Sequence, residues 1–305
     1  MLFNAAALLA LTSVVSGAAL PKRAAALTDA DILQYALTLE HLENAFYKQA
    51  LSTMPESAFT SANFSSFFYD QLKYIAHDEE GHVLYLEAGL TAAGATPNAA
   101  CTYSFPMATP QEFIAMASVV EGLGVSAYLG AAADITTKAY LTAAGAILVT
   151  ESLHQAAHRN ALGEIPMANV FGTPMAPNAV YSIASTFITS CPSSNAPLPV
   201  MAYPTLTLKS GLPTAPGADV DLVPQSAPPS SYYVTFVSGL DIIPVMPASF
   251  ADGMIMAAVP MNISGQSYAF VTSDNSGVIN DTTVLFGPAI IEVTPPSPTF
   301  DLSIQ

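Results

Sequence analysis

Basic side chains are scarce in this sequence. Seven lysines and arginines stand against 23 aspartates and glutamates, a formal net charge of −16 over 305 residues. So few cations cannot neutralise a phosphate backbone, which argues against nucleic acid as a partner and against anionic membrane surfaces. Cysteine is rare too. Cys101 and Cys191 are the two, and two lone cysteines in a secreted chain most simply form one disulfide. Long uncharged apolar runs are lacking beyond the N-terminus; segment 113–133 comes closest, and Glu121 interrupts it. No nucleophilic triad and no glycine-rich phosphate loop stands out. The glycines of "GLGVSAYLG" lie inside an apolar helix, without the strand–turn–helix context of such a loop, and read as close-packing positions beside Glu121. There is no internal repeat of fixed length.

What is present is ample hydrophobic material, 51% of the residues, enough for one large domain or two ordinary ones. An apolar stretch from Ala5 to Val15 is followed by small residues around Ser16–Ala19. It is too short to span a bilayer and reads as a secretory signal peptide, although no basic residue precedes it. Lys22–Arg23 adds a dibasic processing site, so residues 1–23 are assigned to signal peptide and propeptide. The expected product is secreted, with no membrane segment after signal removal. Sequons at Asn63, Asn262 and Asn280 are candidate glycan sites along such a route.

The texture changes along the chain. Residues 28–190 carry helical periodicity: one helix opening at Thr28 and Asp31, a second from Phe64 to Ala93, a third from Pro110 to Ala133. A fourth follows after 136–138 and ends near Gly163, and a shorter one covers Asn178 to Ile188. Residues 192–230 hold nine prolines, the composition of a linker. From 231 to 305 short apolar segments such as "YYVTFVSGL" and "QSYAFVTS" alternate with turn residues, as in a small β-sandwich. The fold class expected is α+β and multidomain, a four-helix bundle plus a short fifth helix ahead of a β-sandwich-like domain.

The helical stripes contain an anomaly. The second helix runs Phe64, Phe68, Leu72, Ile75, then Glu79 and His82, then Leu86 and Leu90 on one face. The third is apolar nearly all round, with Glu121 as the one charge from Phe113 to Ala133. The fourth reads Tyr140, Ala144, Ile147, Glu151, His154, His158, and the first Leu33, Leu37, Glu40, Tyr47. A lone buried carboxylate is too costly to stand unpaired. Beyond the expected cleavage the helical part has only Lys48, Lys73, Lys138 and Arg159 to offer. Metal ions resolve the conflict, since four carboxylates and two neutral imidazoles around two divalent cations sum to zero charge. One Glu from each of two helices plus Glu-x-x-His from each of the other two is the dinuclear carboxylate arrangement of ferritin-like bundles. The i, i+3 spacing lets both side chains of a pair reach the same ions.

In the phrases "YALTLEHLENAFYKQAL", "YIAHDEEGHVLYLEAGL" and "ILVTESLHQAAHRNALG" the chain resembles the ferritin-like superfamily, nearest the secreted fungal and plant members described as stress-, starvation- or desiccation-related. The resemblance covers about half of the chain, and the trailing strands resemble the β tail of the fungal members. It implies a crossover between helices two and three, which 94–109 can supply. It also implies a metal site of Glu40, Glu79, His82, Glu121, Glu151 and His154 holding two Fe ions, or alternatively two Mn ions. Tyr47, seven residues after Glu40, fits the spacing of these bundles and selects Glu40 over Glu43, which stays a capable substitute. Tyr47 and Tyr128 read first as packing residues that can also hydrogen-bond a ligand. His158 reads as a surface residue at the helix C-terminus with a supporting role as the alternative, and His41 and His77 as solvated. The expected chemistry is redox with O2 or peroxide. The alternative is a non-enzymatic stress-related or cell-surface protein, with cell-wall association, that uses the bundle as a scaffold; iron storage ranks third.

Overall fold

A computed structural model describes residues 27–209, 211, 213–299 and 303; the expected signal peptide at 1–23 lies outside them. Four long helices form the first part. Helix α1 (Asp29–Thr53) starts in a capping box, Thr28 accepting from the Asp31 backbone while the Asp31 carboxylate accepts from that of Thr28. A six-residue helix α2 (Glu56–Ser61) follows, too short to leave a periodic signature. Helix α3 (Ser66–Ala92) begins two residues later than Phe64, because Asn63 takes a positive φ of 69° and Ser65 caps the Phe68 amide. Helix α4 (Pro110–Ala131) opens with a second capping box, Thr109 and Glu112, and with proline at its first position. Helix α5 (Lys138–Ala161) completes the bundle, and α6 (Pro177–Ala184) lies across it.

Packing is in two pairs, α1 with α3 and α4 with α5. The passage 93–109 links the pairs. There β1 (Thr102–Tyr103) joins β2 (Ile188–Ser190), and the Cys101–Cys191 disulfide fastens the same seam. Closing a loop with a separation of 90 residues stabilises the fold by about 4–5 kcal/mol in the chain-entropy account. Helix α4 is the one element among the described residues long and apolar enough to cross a membrane, yet 78% of its most apolar window is buried inside the protein. Its apolar surface is explained by neighbours on every side: α1, α5, α6 and the β part.

The second part is a sandwich of two four-stranded antiparallel sheets. One runs β3 (Leu206–Leu208), β4 (Asp219–Pro224), β8 (Met254–Ala258), β7 (Ser249–Ala251). The other runs β10 (Val284–Val293), β9 (Gly265–Thr272), β5 (Tyr233–Ser238), β6 (Asp241–Val245). Strands β3 and β4 fall inside 192–230, so the proline-rich segment is only partly a connection. Its prolines flank the strands, and the one inside a strand, Pro224, is the last residue of β4.

The second sheet is covered on both faces. Along β9, Ala269 and Val271 enter the sandwich core, while Tyr268 and Phe270 enter the core shared with the bundle. Along β10, Ile291 and Val293 face the sandwich, and the period of two then puts Glu292 toward the bundle. Arg159 at the end of α5 meets it there with two hydrogen bonds, 2.6 and 2.7 Å long, and also donates to the Ile165 carbonyl. The arginine is 3% exposed and the glutamate 8%. Removing one partner strands a buried charge, so Glu292→Leu should lower unfolding free energy by about 3–5 kcal/mol. Adding Arg159→Met should restore much of it; chemical denaturation of the two variants checks this, and equal losses in both would refute the ion-pair account.

Candidate metal centre

Each long helix brings at least one carboxylate to the middle of the bundle. The heptad-like stripes described above place Glu40 and Glu43 on α1, Glu79 and His82 on α3, Glu121 on α4, and Glu151 and His154 on α5. Glu40, Glu79, Glu121 and Glu151 are completely buried. His82 Nδ1 lies 3.2 Å from Glu40, 3.3 Å from Glu79 and 3.3 Å from Glu151. His154 Nδ1 lies 2.9 Å from Glu79 and 3.3 Å from Glu121. Glu79 turns one oxygen to each imidazole, Oε2 to His82 and Oε1 to His154.

Several polar atoms at the centre lack hydrogen-bond partners. Glu40 Oε2, Glu79 Oε1, Glu121 Oε2, both oxygens of Glu151 and His154 Nδ1 are buried with no aligned donor or acceptor. His154 Nδ1 and Glu79 Oε1 are 2.9 Å apart, yet their geometry is not that of a hydrogen bond. Their lone pairs converge on common space instead. Among the described residues no lysine or arginine forms an ion pair with these carboxylates; Lys48, Lys73 and Arg159 are engaged elsewhere. Two four-residue groups emerge, Glu40–Glu79–His82–Glu151 and Glu79–Glu121–Glu151–His154, each with donor atoms within 4.8 Å of one another. An oxygen-rich set with imidazole suits a divalent metal ion, and these buried clusters could hold one.

Outer contacts fix the donors. Tyr128 donates to Glu40 at 2.5 Å, and Tyr47 donates to Glu121. Asp78 accepts from His154 Nε2 at 3.3 Å, which turns Nδ1 inward, the usual device of a carboxylate behind a ligand imidazole. Gly124 leaves the space: a Cβ there would stand 2.6 Å from Glu151 Oε2 and 3.0 Å from Glu43 Oε1. Gly122 likewise clears room for Gln155 and Gln266, so the glycines of α4 do serve close packing, on two of its sides.

Without cations the cluster holds protons. Burial first, and then the Glu151 charge, raises Glu79 to about 8. Burial also raises Glu121, and lifts Glu151 and Glu43 well above the carboxyl range. For His154 burial opposes the charge, but the carboxylates of Glu121 and Glu79 beside the ring outweigh it and raise the pKa to about 11. His158 behaves oppositely: full burial, with His154 nearby, lowers it to about 3.

Residues 28–164 match the family described as the ferritin-like domain. The helical part is ferritin-like. The chain is also similar to protein rds1 of Schizosaccharomyces pombe, 24% identical over 182 residues, which cover 60% of this chain and 44% of that protein. It therefore spans less than half the length of the curated relative it matches.

The ferritin-like bundle gathers all six residues expected as ligands and surrounds them with Glu43, Tyr47, Tyr128 and His158. Several expectations need correction. His158 is not a surface residue but completely buried, 2.6 Å from the Tyr47 hydroxyl and edge-on to Phe68, because it stands one turn after His154 on the inward stripe of α5, facing α1 and α3. His41 is 7% exposed and contacts the Asn98 carbonyl at 3.0 Å, because the crossover passage folds over α1. His77 is solvated as expected, its side chain 83% exposed. Tyr47 and Tyr128 pack in the core and also hydrogen-bond cluster carboxylates. Asp78 was not anticipated; its signal was its place four residues before His82, adjoining Glu79. Cys101 and Cys191 are bonded. Asn63 and Asn262 are exposed, and Asn280 is half-buried.

Two outcomes follow. A carboxyl raised from 4.5 to about 8 stabilises the fold below 4.5, and that contribution is lost as pH climbs to 8. Glu43, Glu121 and Glu151 act in the same sense, against one opposing imidazole, His158. Metal-free protein should therefore melt lower at about pH 8 than at about pH 5, and saturating divalent metal should flatten the slope, as scanning calorimetry would read. Gly124→Ala should push Glu151 and Glu43 aside and weaken divalent-metal affinity at least about tenfold, one hydrogen-bond equivalent in free energy; unchanged calorimetric titration would show that the gap is not needed.

Proposed function

We propose that the bundle is a dinuclear metal site, iron first and manganese second, in a secreted oxidoreductase acting on O2 or peroxide. One observation carries the reading: the two donor groups share Glu79 and Glu151, so that together they would hold two adjacent ions with four carboxylates and two imidazoles. On this reading Glu40 and His82 complete one ion's donors, and Glu121 and His154 the other's. Bound iron or manganese would supply one- and two-electron chemistry with oxygen species. The protein's own groups do the rest. Tyr128 and Tyr47 restrain Glu40 and Glu121 at their outer oxygens. Asp78 holds the His154 ring. Full burial of the carboxylates keeps bulk water away, and neutral His158 can donate from Nε2 to the Tyr47 oxygen, which leaves the Tyr47 proton directed at Glu121. Secretion is supported by the N-terminal apolar segment, by the disulfide and by exposed Asn63 and Asn262.

Metal analysis of full-length protein loaded under anaerobic conditions tests the site. The wild-type chain should hold about two iron or manganese ions, and Glu79→Gln with Glu151→Gln should hold none. In chelator the double variant should melt higher than wild type, since it removes buried unpaired carboxylates. A wild-type chain with no stoichiometric metal, and a variant of equal melting temperature, would sink the dinuclear reading. Metal bound without turnover of O2 or peroxide would favour the scaffold alternative instead.

A further inference from the structure

We infer that a binding cavity for a small apolar molecule, with dioxygen as the guest that fits it, is stacked on the carboxylate–histidine centre. The inference rests on the dinuclear reading for its purpose, though not for its existence. Four helices build the cavity with residues spaced by whole turns from the cluster. Ala36 lies four residues before Glu40, Leu86 four after His82, Ile147 four before Glu151, and Tyr128 seven after Glu121. The cavity is thus the next layer of the bundle. Its floor is Tyr128, whose hydroxyl is turned away into the 2.5 Å hydrogen bond with Glu40. Tyr85, 52% exposed, marks the outer end.

Size and lining select the guest. The cavity measures about 50 Å³. One water needs about 10–15 Å³ by such a measure, so the space suits a molecule of two or three heavy atoms. Almost all of the lining is carbon. Peroxide or clustered water would leave hydrogen-bonding groups unmatched there, whereas dioxygen would not. The space also persists because small side chains, Ala36 and Ala144 among them, stand where larger ones would fill a bundle core. Wider hollows of about 290, 280 and 550 Å³ touch no residue of the cluster.

Xenon is the probe, used on the full chain with and without metal. Wild-type protein under xenon pressure should bind the gas against Ala36, Leu86, Tyr128 and Ile147, seen by crystallography or by 129Xe resonance shift. Ala144→Leu should abolish that site. In protein loaded with ferrous iron the same variant should slow oxidation by dioxygen roughly tenfold, as loss of an access route would, and leave oxidation by peroxide nearly unchanged. Absence of xenon from wild type would overturn the inference, as would an unchanged dioxygen rate once the cavity is filled. Should Ala144→Leu fail to fold, Ala36→Val is the milder substitution, and the wild-type xenon result stands by itself. Because xenon needs no metal, a chain that binds xenon but no iron would fail the dinuclear reading and keep the cavity.

Discussion

Five carboxylates share one buried volume in this bundle, and among the described residues no lysine or arginine forms an ion pair with them. Their mutual repulsion in a medium of low polarisability is the constraint that the surrounding structure answers. Two imidazoles point Nδ1 into the cluster, two phenols donate to its outer oxygens, and the carboxyls take up protons at pH values where exposed ones would not. A bound cation would replace those protons. The same volume is framed by apolar layers, so every polar atom in it depends on the others for compensation. That mutual dependence is why the cluster behaves as a unit rather than as seven separate residues.

The β sandwich belongs to the same construction. One of its sheets lies against α4, α5 and α6, with Tyr268 hydrogen-bonded to Ser126 and Glu292 clamped on Arg159. This contact covers the last turn of α5 at Arg159. It also accounts for α4, whose apolar surface would otherwise suit a membrane: helices and strands cover it instead of lipid. The sandwich therefore helps set the dielectric around the centre although it supplies none of the donors.

The legibility of these features differed by range. The first helix start was readable because capping is local: Thr28 and Asp31 act within one turn. Glu79, His82, Glu151 and His154 were readable because the apolar stripe on either side fixed their phase. Helix α2 was not, being shorter than two periods. The β3 and β4 strands were hidden among prolines that lie mostly outside the paired backbone. Asp78 was hidden because it is one residue from a stronger candidate, and Glu43 stayed an alternative to Glu40, because rotation of a few tens of degrees decides which side chain points inward.

By itself the sequence determined that six donors at helical spacing must share one core without basic partners, because charge count and periodicity are properties of the chain alone. It also set the class of the fold, helices first and strands after. Only the tertiary structure decided which helix faces meet, and hence that Glu79 reaches both imidazoles and that Gly124 leaves room for Glu151. It alone decided that His158 and His41 are buried, that Arg159 finds Glu292 133 residues away, and that a hollow remains one layer from the cluster. Those outcomes depend on contacts between segments far apart in the chain, and no local pattern encodes a distance across such a gap.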